Sequence, residues 1–264
     1  MIKLLNFIKQ TALFSLSLLG IPQGAMADNC KRPPNIAKLD YIACPYDGLS
    51  KGEKDGKYGF VDSAGRIVID LVYDDADSFS EQLAYVQRDG HGYFIDTKGN
   101  IVIALDDSTE VASDFKEGLV MVKRDGQIGF MDKSGNIAIP FIYDNASDFR
   151  DGAAVVVKDD LYGFIDSNNQ PIIPLQYHQA MKFSEGLAAV RTDAKWGFID
   201  KTGKLVIAMQ YDHALPFDNG VAQVEMNDQF ITIDKHGNII DDGSDDKSTK
   251  KLFKLSKLLN KVPN

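Results

Sequence analysis

One stretch, Lys195-Trp196-Gly197-Phe198-Ile199-Asp200-Lys201-Thr202-Gly203-Lys204-Leu205-Val206-Ile207, is copied along most of the chain. The Asp that closes its aromatic-Gly-Phe-Ile-Asp run stands at Asp62, Asp96, Asp132, Asp166, Asp200 and Asp234, at spacings of 34, 36, 34, 34 and 34 residues. A second marker, Phe-x-(Glu/Asp)-Gly before small apolar residues, keeps the same phase at Phe115, Phe149 and Phe183, with one-residue variants at Phe79 and Phe217. A third, Tyr-x-x-Ala, does so at Tyr73, Tyr143, Tyr177 and Tyr211, and the two extra residues fall around Asp106-Asp107-Ser108. Three markers in phase define a tandem repeat, in which each unit buries its faces on its neighbours.

Each copy reads as three strands, as in 187–191, 196–200 and 205–208. These are short apolar runs rich in β-branched and aromatic residues, bounded by turn residues. Asp-x-x-Gly joins the second run to the third: its Asp can accept from the turn backbone and its Gly can take positive φ. Fixed glycines and short runs exclude a helix. Phe198 and Ile199 point to opposite faces, as do Leu205 and Val206, so the sheets are expected to be covered on both sides by neighbouring copies. Tyr-x-x-Ala and Phe-Ser-Glu-Gly form the connector to the next sheet, and their Tyr and Phe are expected to wedge into the seam between copies. The expected fold is all-β: tandem units of about 34 residues, each a three-stranded antiparallel sheet, stacked as an open solenoid or a propeller-like ring, with a short C-terminal helix. Six copies fit between about residue 46 and Ile240, the first and last degenerate.

The flanks have another character. Lys3 and Lys9, the uncharged apolar run from Thr11 to Ile21 and Ala25-Met26-Ala27 have the form of a cleaved export signal over residues 1–27. The formal charge of -9 over 264 residues then becomes -9 - 2 = -11 for the mature chain. No basic face marks a nucleic-acid binder. Cys30 and Cys44 read as one disulfide in an oxidising compartment, periplasmic or extracellular. They staple a lead-in over residues 28–55, ahead of a repeat domain over 56–240. Residues 241–249 are an acidic linker, and 250–264 place Leu252, Leu255, Leu258, Leu259 and Val262 at helical spacing among Lys250, Lys251, Lys254, Lys257 and Lys261. That basic amphipathic tail can cap the last copy, lie on an anionic membrane or bind a partner. The last copy, with Phe230-Ile231-Thr232 in place of Trp-Gly-Phe, is expected to offer it an apolar flank.

The motif resembles the repeat of the WG-repeat family of bacterial proteins. Trp196-Gly197-Phe198-Ile199-Asp200, Gly203, Tyr211-Asp212, Ala214 and Phe183-Ser184-Glu185-Gly186-Leu187-Ala188 carry the resemblance, which extends over roughly 56–240. Tyr58-Gly59, Ile128-Gly129 and Tyr162-Gly163 put other bulky apolar residues in the Trp position. The resemblance implies a β-repeat array used for interactions, with structural Trp-Gly pairs and no catalytic residues to carry over.

No sequence motif for a nucleophile, a metal or a phosphate stands out. One Asp per repeat at a fixed turn position is what turn capping requires, and calcium would need several oxygens converging on one loop. His178 and His213 both follow a seam Tyr, 35 residues apart, where adjacent copies bring them near each other. The expectation is a non-enzymatic, monomeric scaffold that needs no cofactor and binds a protein or an envelope component. Peripheral membrane attachment through the tail and a hydrolase with carboxylates on the connectors are the alternatives.

Overall fold

The computed structural model describes residues 30–241, which form six four-stranded antiparallel sheets and no helix. The first sheet contains β1 (Tyr41–Tyr46), β2 (Leu49–Lys54), β3 (Lys57–Val61) and β4 (Ile67–Tyr73). The second holds β5 (Asp75–Ala76), β6 (Leu83–Arg88), β7 (His91–Asp96) and β8 (Ile101–Ala104). The third holds β9 (Glu110–Val111), β10 (Leu119–Arg124), β11 (Gln127–Asp132) and β12 (Ile137–Tyr143). The fourth holds β13 (Asn145–Ala146), β14 (Ala154–Lys158), β15 (Leu161–Ile165) and β16 (Pro171–Tyr177). The fifth holds β17 (Gln179–Ala180), β18 (Leu187–Thr192), β19 (Lys195–Asp200) and β20 (Leu205–Tyr211). The sixth holds β21 (His213–Ala214), β22 (Val221–Met226), β23 (Gln229–Asp234) and β24 (Ile239–Asp241). In every sheet the strands lie side by side in chain order.

The unit therefore has four strands and not three. The connector after the seam Tyr supplies the extra one: Gln179 pairs with Arg191 and Ala180 with Val190. A strand of two residues is too short to show as an apolar run. The helix expected over 250–264, the linker after Asp241 and the export signal over 1–27 lie outside the described residues.

The seams hold the array together. Leu187, Ala189, Trp196 and Phe198 of the fifth sheet pack on Ala222, Val224, Ile231 and Ile233 of the sixth. On its other face Ala188, Val190 and Ile199 pack on Phe164 and Ile173 of the fourth. Each seam is centred on a ring pair: Phe60–Phe79, Phe94–Phe115, Phe130–Phe149, Phe164–Phe183 and Phe198–Phe217, with centroids 4.6–5.0 Å apart. Burial of one such side chain contributes about 1.5–3 kcal/mol. The seam tyrosines Tyr73, Tyr143, Tyr177 and Tyr211 are buried as well, which pushes their phenols above the ordinary range.

Covering on both faces holds for the middle strands only. Leu205 and Val206 are exposed, because the fourth strand is the outer edge of its sheet and extends past its neighbours' cover.

Backbone approach explains the glycine of the Trp-Gly pair. A Cβ on Gly197 would lie 2.6 Å from the Ile207 carbonyl oxygen, and Gly59, Gly129 and Gly163 stand equally close to the fourth strand of their sheets. There the fourth strand bulges, skipping the glycine between Trp196–Tyr211 and Phe198–Ile207. In the second sheet Tyr93 occupies the glycine position. The pairs Tyr93–Ala104 and Phe94–Ile103 are then in plain register, and β8 ends after four residues. The two extra residues of the repeat follow that early departure.

The two ends of the array differ. At the start, Leu39 and Ile42 of the lead-in pack with Val61 against the first sheet. Asn35 fixes Leu39 by donating to its carbonyl and accepting from its amide, both at 2.8 Å. Cys30 and Cys44 are joined by a disulfide, with their Cα atoms 5.8 Å apart. At the other end, the outward face of the sixth sheet carries Gln223, Thr232 and Asp241 where the fifth carries Ala189, Phe198 and Ile207. The expected apolar flank is thus a polar face, as a terminal repeat requires. Among the described residues no hydrophobic cluster joins the sixth sheet to the first, and the array is open.

Candidate interaction surface

The six turn aspartates each close their own loop. Asp200 Oδ1 accepts from the amides of Thr202 and Lys204 at 2.9 and 3.1 Å. Asp62, Asp96, Asp132, Asp166 and Asp234 make the same pair of bonds. The Thr202 hydroxyl holds the Asp200 carboxyl below its usual range, the Asn136 and Asn238 amides do so at Asp132 and Asp234, and the Asn100 amide at Asp96. At Asp62 the Arg66 guanidinium does so. These carboxylates are occupied by turn geometry.

The acid of Phe-x-(Glu/Asp)-Gly ties one sheet to the next, a role the sequence reading missed. Glu81 accepts from the Gly118 amide, Glu117 from Gly152 and Glu185 from Gly220, at 2.9–3.0 Å. Lys133 and Lys235 of the following sheet pair with Glu81 and Glu185 at 3.0 and 3.1 Å. The signal for it was the acid ahead of a glycine at Glu117, Asp151 and Glu185. At the opposite end of the sheets Asp74, Asp144 and Asp212 accept from the hairpin amides of Asp89, Asp159 and Asn227. His178 takes that place in the fifth sheet, its Nδ1 facing the Asp193 amide at 2.9 Å. His213 stacks on Trp196, with ring centroids 5.8 Å apart. The two histidines are thus engaged separately.

Among the described acids, desolvation by the surrounding protein atoms and then the neighbouring Asp114 carboxylate push the Asp77 carboxyl up. Its side chain stays exposed. Among the described residues no three His, Cys, Asp or Glu side chains converge to hold a metal. An open cleft of about 440 Å³ lies between the fourth and fifth sheets, lined by Val155, Tyr162, Met181 and Phe183 with Arg150 and Lys182 at its margin.

The outer strands carry the most regular exposed feature. In register, the six sheets present Ile67-Val68, Ile101-Val102, Ile137-Ala138, Pro171-Ile172, Leu205-Val206 and Ile239-Ile240, all exposed. The following residue, Ile69, Ile103, Ile139, Ile173 or Ile207, is buried and fixes the strand to its seam. The sequence showed these pairs, but an apolar residue on each face read as core.

The profile of the family described as WG containing repeat matches five consecutive copies, at residues 58–90, 94–127, 128–162, 162–196 and 196–230. The chain belongs to the WG-repeat family. Within this WG-repeat chain the matched copies run from β3 to β23 and include all five seams. No curated protein matches the sequence. Similar solved structures include one described as the eukaryotic initiation factor, at 12% identity and TM-score 0.49, covering 76% of this chain and 64% of that one. A second is Hsv2 of Kluyveromyces marxianus, at 8% identity and TM-score 0.46, covering 76% and 71%. A third is PorZ of Porphyromonas gingivalis, described as a surface component of a type-IX secretion system, at 10% identity and TM-score 0.36, covering 79% and 32%. The chain spans just under two thirds of the initiation-factor structure's length.

Proposed function

We propose that this WG-repeat protein is an exported, non-enzymatic scaffold, and that a protein or envelope component docks on the rim formed by its outer strands. The observation that carries this reading is the exposed apolar pair in the same register of all six sheets. Scattered exposed apolar residues need no explanation, but an ordered series of them marks an interaction surface. Docking runs through side chains and not through strand addition. Pro140 and Pro174 lie in the outer strands β12 and β16, where proline blunts an edge against further pairing. The disulfide supports an oxidising compartment, periplasmic or extracellular.

The test is chemical cross-linking of the intact protein in envelope extract, beside a variant carrying Ile172→Lys and Val206→Lys. A discrete partner caught by the first and lost by the second supports the reading. Equal capture by both removes the rim. A robust hydrolase activity abolished by Asp77→Asn would replace the scaffold with an enzyme.

A further inference from the structure

The five seams are built alike, yet the fourth leaves space. On the second strand of each sheet, the residue paired with the buried Phe of the third strand faces the following sheet. It is Lys51, Tyr85, Met121, Val155 and Ala189 in the first five sheets. Lys51 fills its seam by reaching across it: its Nζ lies 5.5 Å from the centre of the Tyr58 ring and donates to the Ala76 carbonyl at 2.7 Å. Tyr85 and Met121 pack into the second and third seams. Ala189 is small, but in its sheet Trp196 stands where Tyr162 stands in the fourth, and His213 stacks on the Trp196 ring. The fourth seam has neither a long side chain nor a stack. Val155 is short, and Gln179, at the position of His213, does not line the space beside Tyr162. The cleft of about 440 Å³ lies there, a size typical of ligand sites, which span about 300–1,000 Å³.

Its chemistry is that of an anion site with an apolar body. Arg150 and Lys182 line it and no acid does, in a chain with 38 Asp and Glu against 29 Lys and Arg. Lys182 is offset by Asp148 at 3.5 Å. Among the described residues the Arg150 guanidinium and the Tyr162 hydroxyl make no ion pair or side-chain hydrogen bond. The lining serines are already engaged: Ser147 accepts from the Val155 amide and Ser184 donates to the Phe217 carbonyl. Asn145 Oδ1 accepts from the Ala146 amide, which leaves its Nδ2 to donate. The available groups stand at opposite ends. Arg150 pairs with Ala153, whereas Tyr162 and Asn145 both pair with Val157, four residues or about 13 Å further along the strand. Val155, Met181 and Phe183 lie between.

We propose that this cleft binds the C-terminal end of an extended apolar peptide, with the carboxylate on Arg150 and the preceding peptide groups at Tyr162 and Asn145. The planar fork of a guanidinium matches a carboxylate, on which it can place two parallel hydrogen bonds. Four extended residues span about 13 Å, the separation of the two ends. An acyl chain of that length would bury the Tyr162 hydroxyl and the Asn145 amide against hydrocarbon without a partner, which is costly; peptide carbonyls satisfy both. No residue lining the cleft lies on a fourth strand, so the site is separate from the rim and does not rest on docking there.

The test is fluorescence anisotropy with the intact protein and four N-terminally labelled apolar hexapeptides, ending in Ala, Val, Leu or Phe. At least one free acid is expected to bind, and its C-terminal amide to bind about tenfold or more weakly. Arg150 is exposed, so Arg150→Gln should keep the melting temperature, weaken the acid by a similar factor and leave the amide unchanged. Val155→Met installs the residue that fills the third seam and should abolish binding of both forms. Ile172→Lys with Val206→Lys, on the rim, should change neither. No binding by any of the four acids, equal affinity of acid and amide, or decanoate bound more tightly than every peptide would overturn the proposal. Binding lost in the rim variant and kept in Val155→Met would place the peptide on the rim and overturn it too.

Discussion

Phe198 and Phe217 meet edge to face across the seam between the fifth and sixth sheets, with ring centroids 4.9 Å apart. One ring belongs to the third strand of its sheet and the other to the connector of the next, and both are fully buried. Four further seams repeat the arrangement. The pair is a coupling between units, so its loss should act on the interface and not on either sheet alone. Phe217→Ala is expected to cost about 3–5 kcal/mol in a urea titration. A double cycle with Phe198→Ala should return about 0.5–1.5 kcal/mol of direct ring coupling. A loss under about 1 kcal/mol for the single change would mean that the seam is held elsewhere.

The glycine of the Trp-Gly pair gives a sharper contrast. Gly197→Val places a side chain on the Ile207 carbonyl, where even a Cβ has only 2.6 Å. The fourth strand must then move or lose its bulge. Lys195→Ala removes an ion pair with Asp212 whose two side chains are both exposed, which is worth about 1 kcal/mol or less. The melting temperature should fall much further for Gly197→Val. Equal melting points would contradict the close-approach account. Tyr93, standing where glycine stands elsewhere, already shows the consequence: its outer strand stays in plain register across Tyr93–Ala104 and Phe94–Ile103 and is short.

What the residues disclosed and what they hid follows from length scale. The phase of Asp62 through Asp234, the Asp-x-x-Gly turns and the burial of Phe79 through Phe217 were legible, because each depends on residues close together in sequence or on strict recurrence. The two-residue strand at Gln179–Ala180 was not, since its pairing is set by the sheet into which it is drawn. The exposure of Leu205 and Val206 was hidden for a related reason: an apolar pair at a sheet edge looks like an apolar pair in a core until the position of its strand is known. The polar outward face of the sixth sheet was half visible. Thr232 was read as decay, but Gln223 and Asp241 gained meaning only when the register aligned them with Ala189 and Ile207.

The turn aspartates make acid stability predictable in sign. The folded-state carboxyls of Asp62, Asp96, Asp132, Asp200 and Asp234 titrate below their ordinary value, through side-chain and then backbone donors. Depressed values in the folded state stabilise it fully above the unfolded value of about 3.9, and that contribution is lost as pH falls through the folded values. The melting temperature should therefore hold from neutral pH to about 5 and decline steeply below about 4. Asp200→Asn combined with Asp132→Asn should lower stability at neutral pH and flatten the decline. A variant that melts lower by the same margin at every pH would assign these residues a role without titration.

Reduction of Cys30–Cys44 should act locally. The bond closes a short loop, 14 residues apart in sequence, and removing such a constraint costs about 3 kcal/mol in the chain-entropy account. In a compact single core that loss would be shared by the whole molecule. Here the lead-in touches the first sheet through Leu39, Ile42 and Val61, and each later sheet is coupled only to its neighbours. Cys30→Ser with Cys44→Ser should then release Leu39 from Gly52, where the missing Cβ leaves it room at 2.5 Å, and raise exchange in β2 and β3 while β18 and β19 keep their protection. Uniformly faster exchange in all six sheets would show that the array unfolds as one cooperative body and that the seams transmit more than nearest-neighbour coupling.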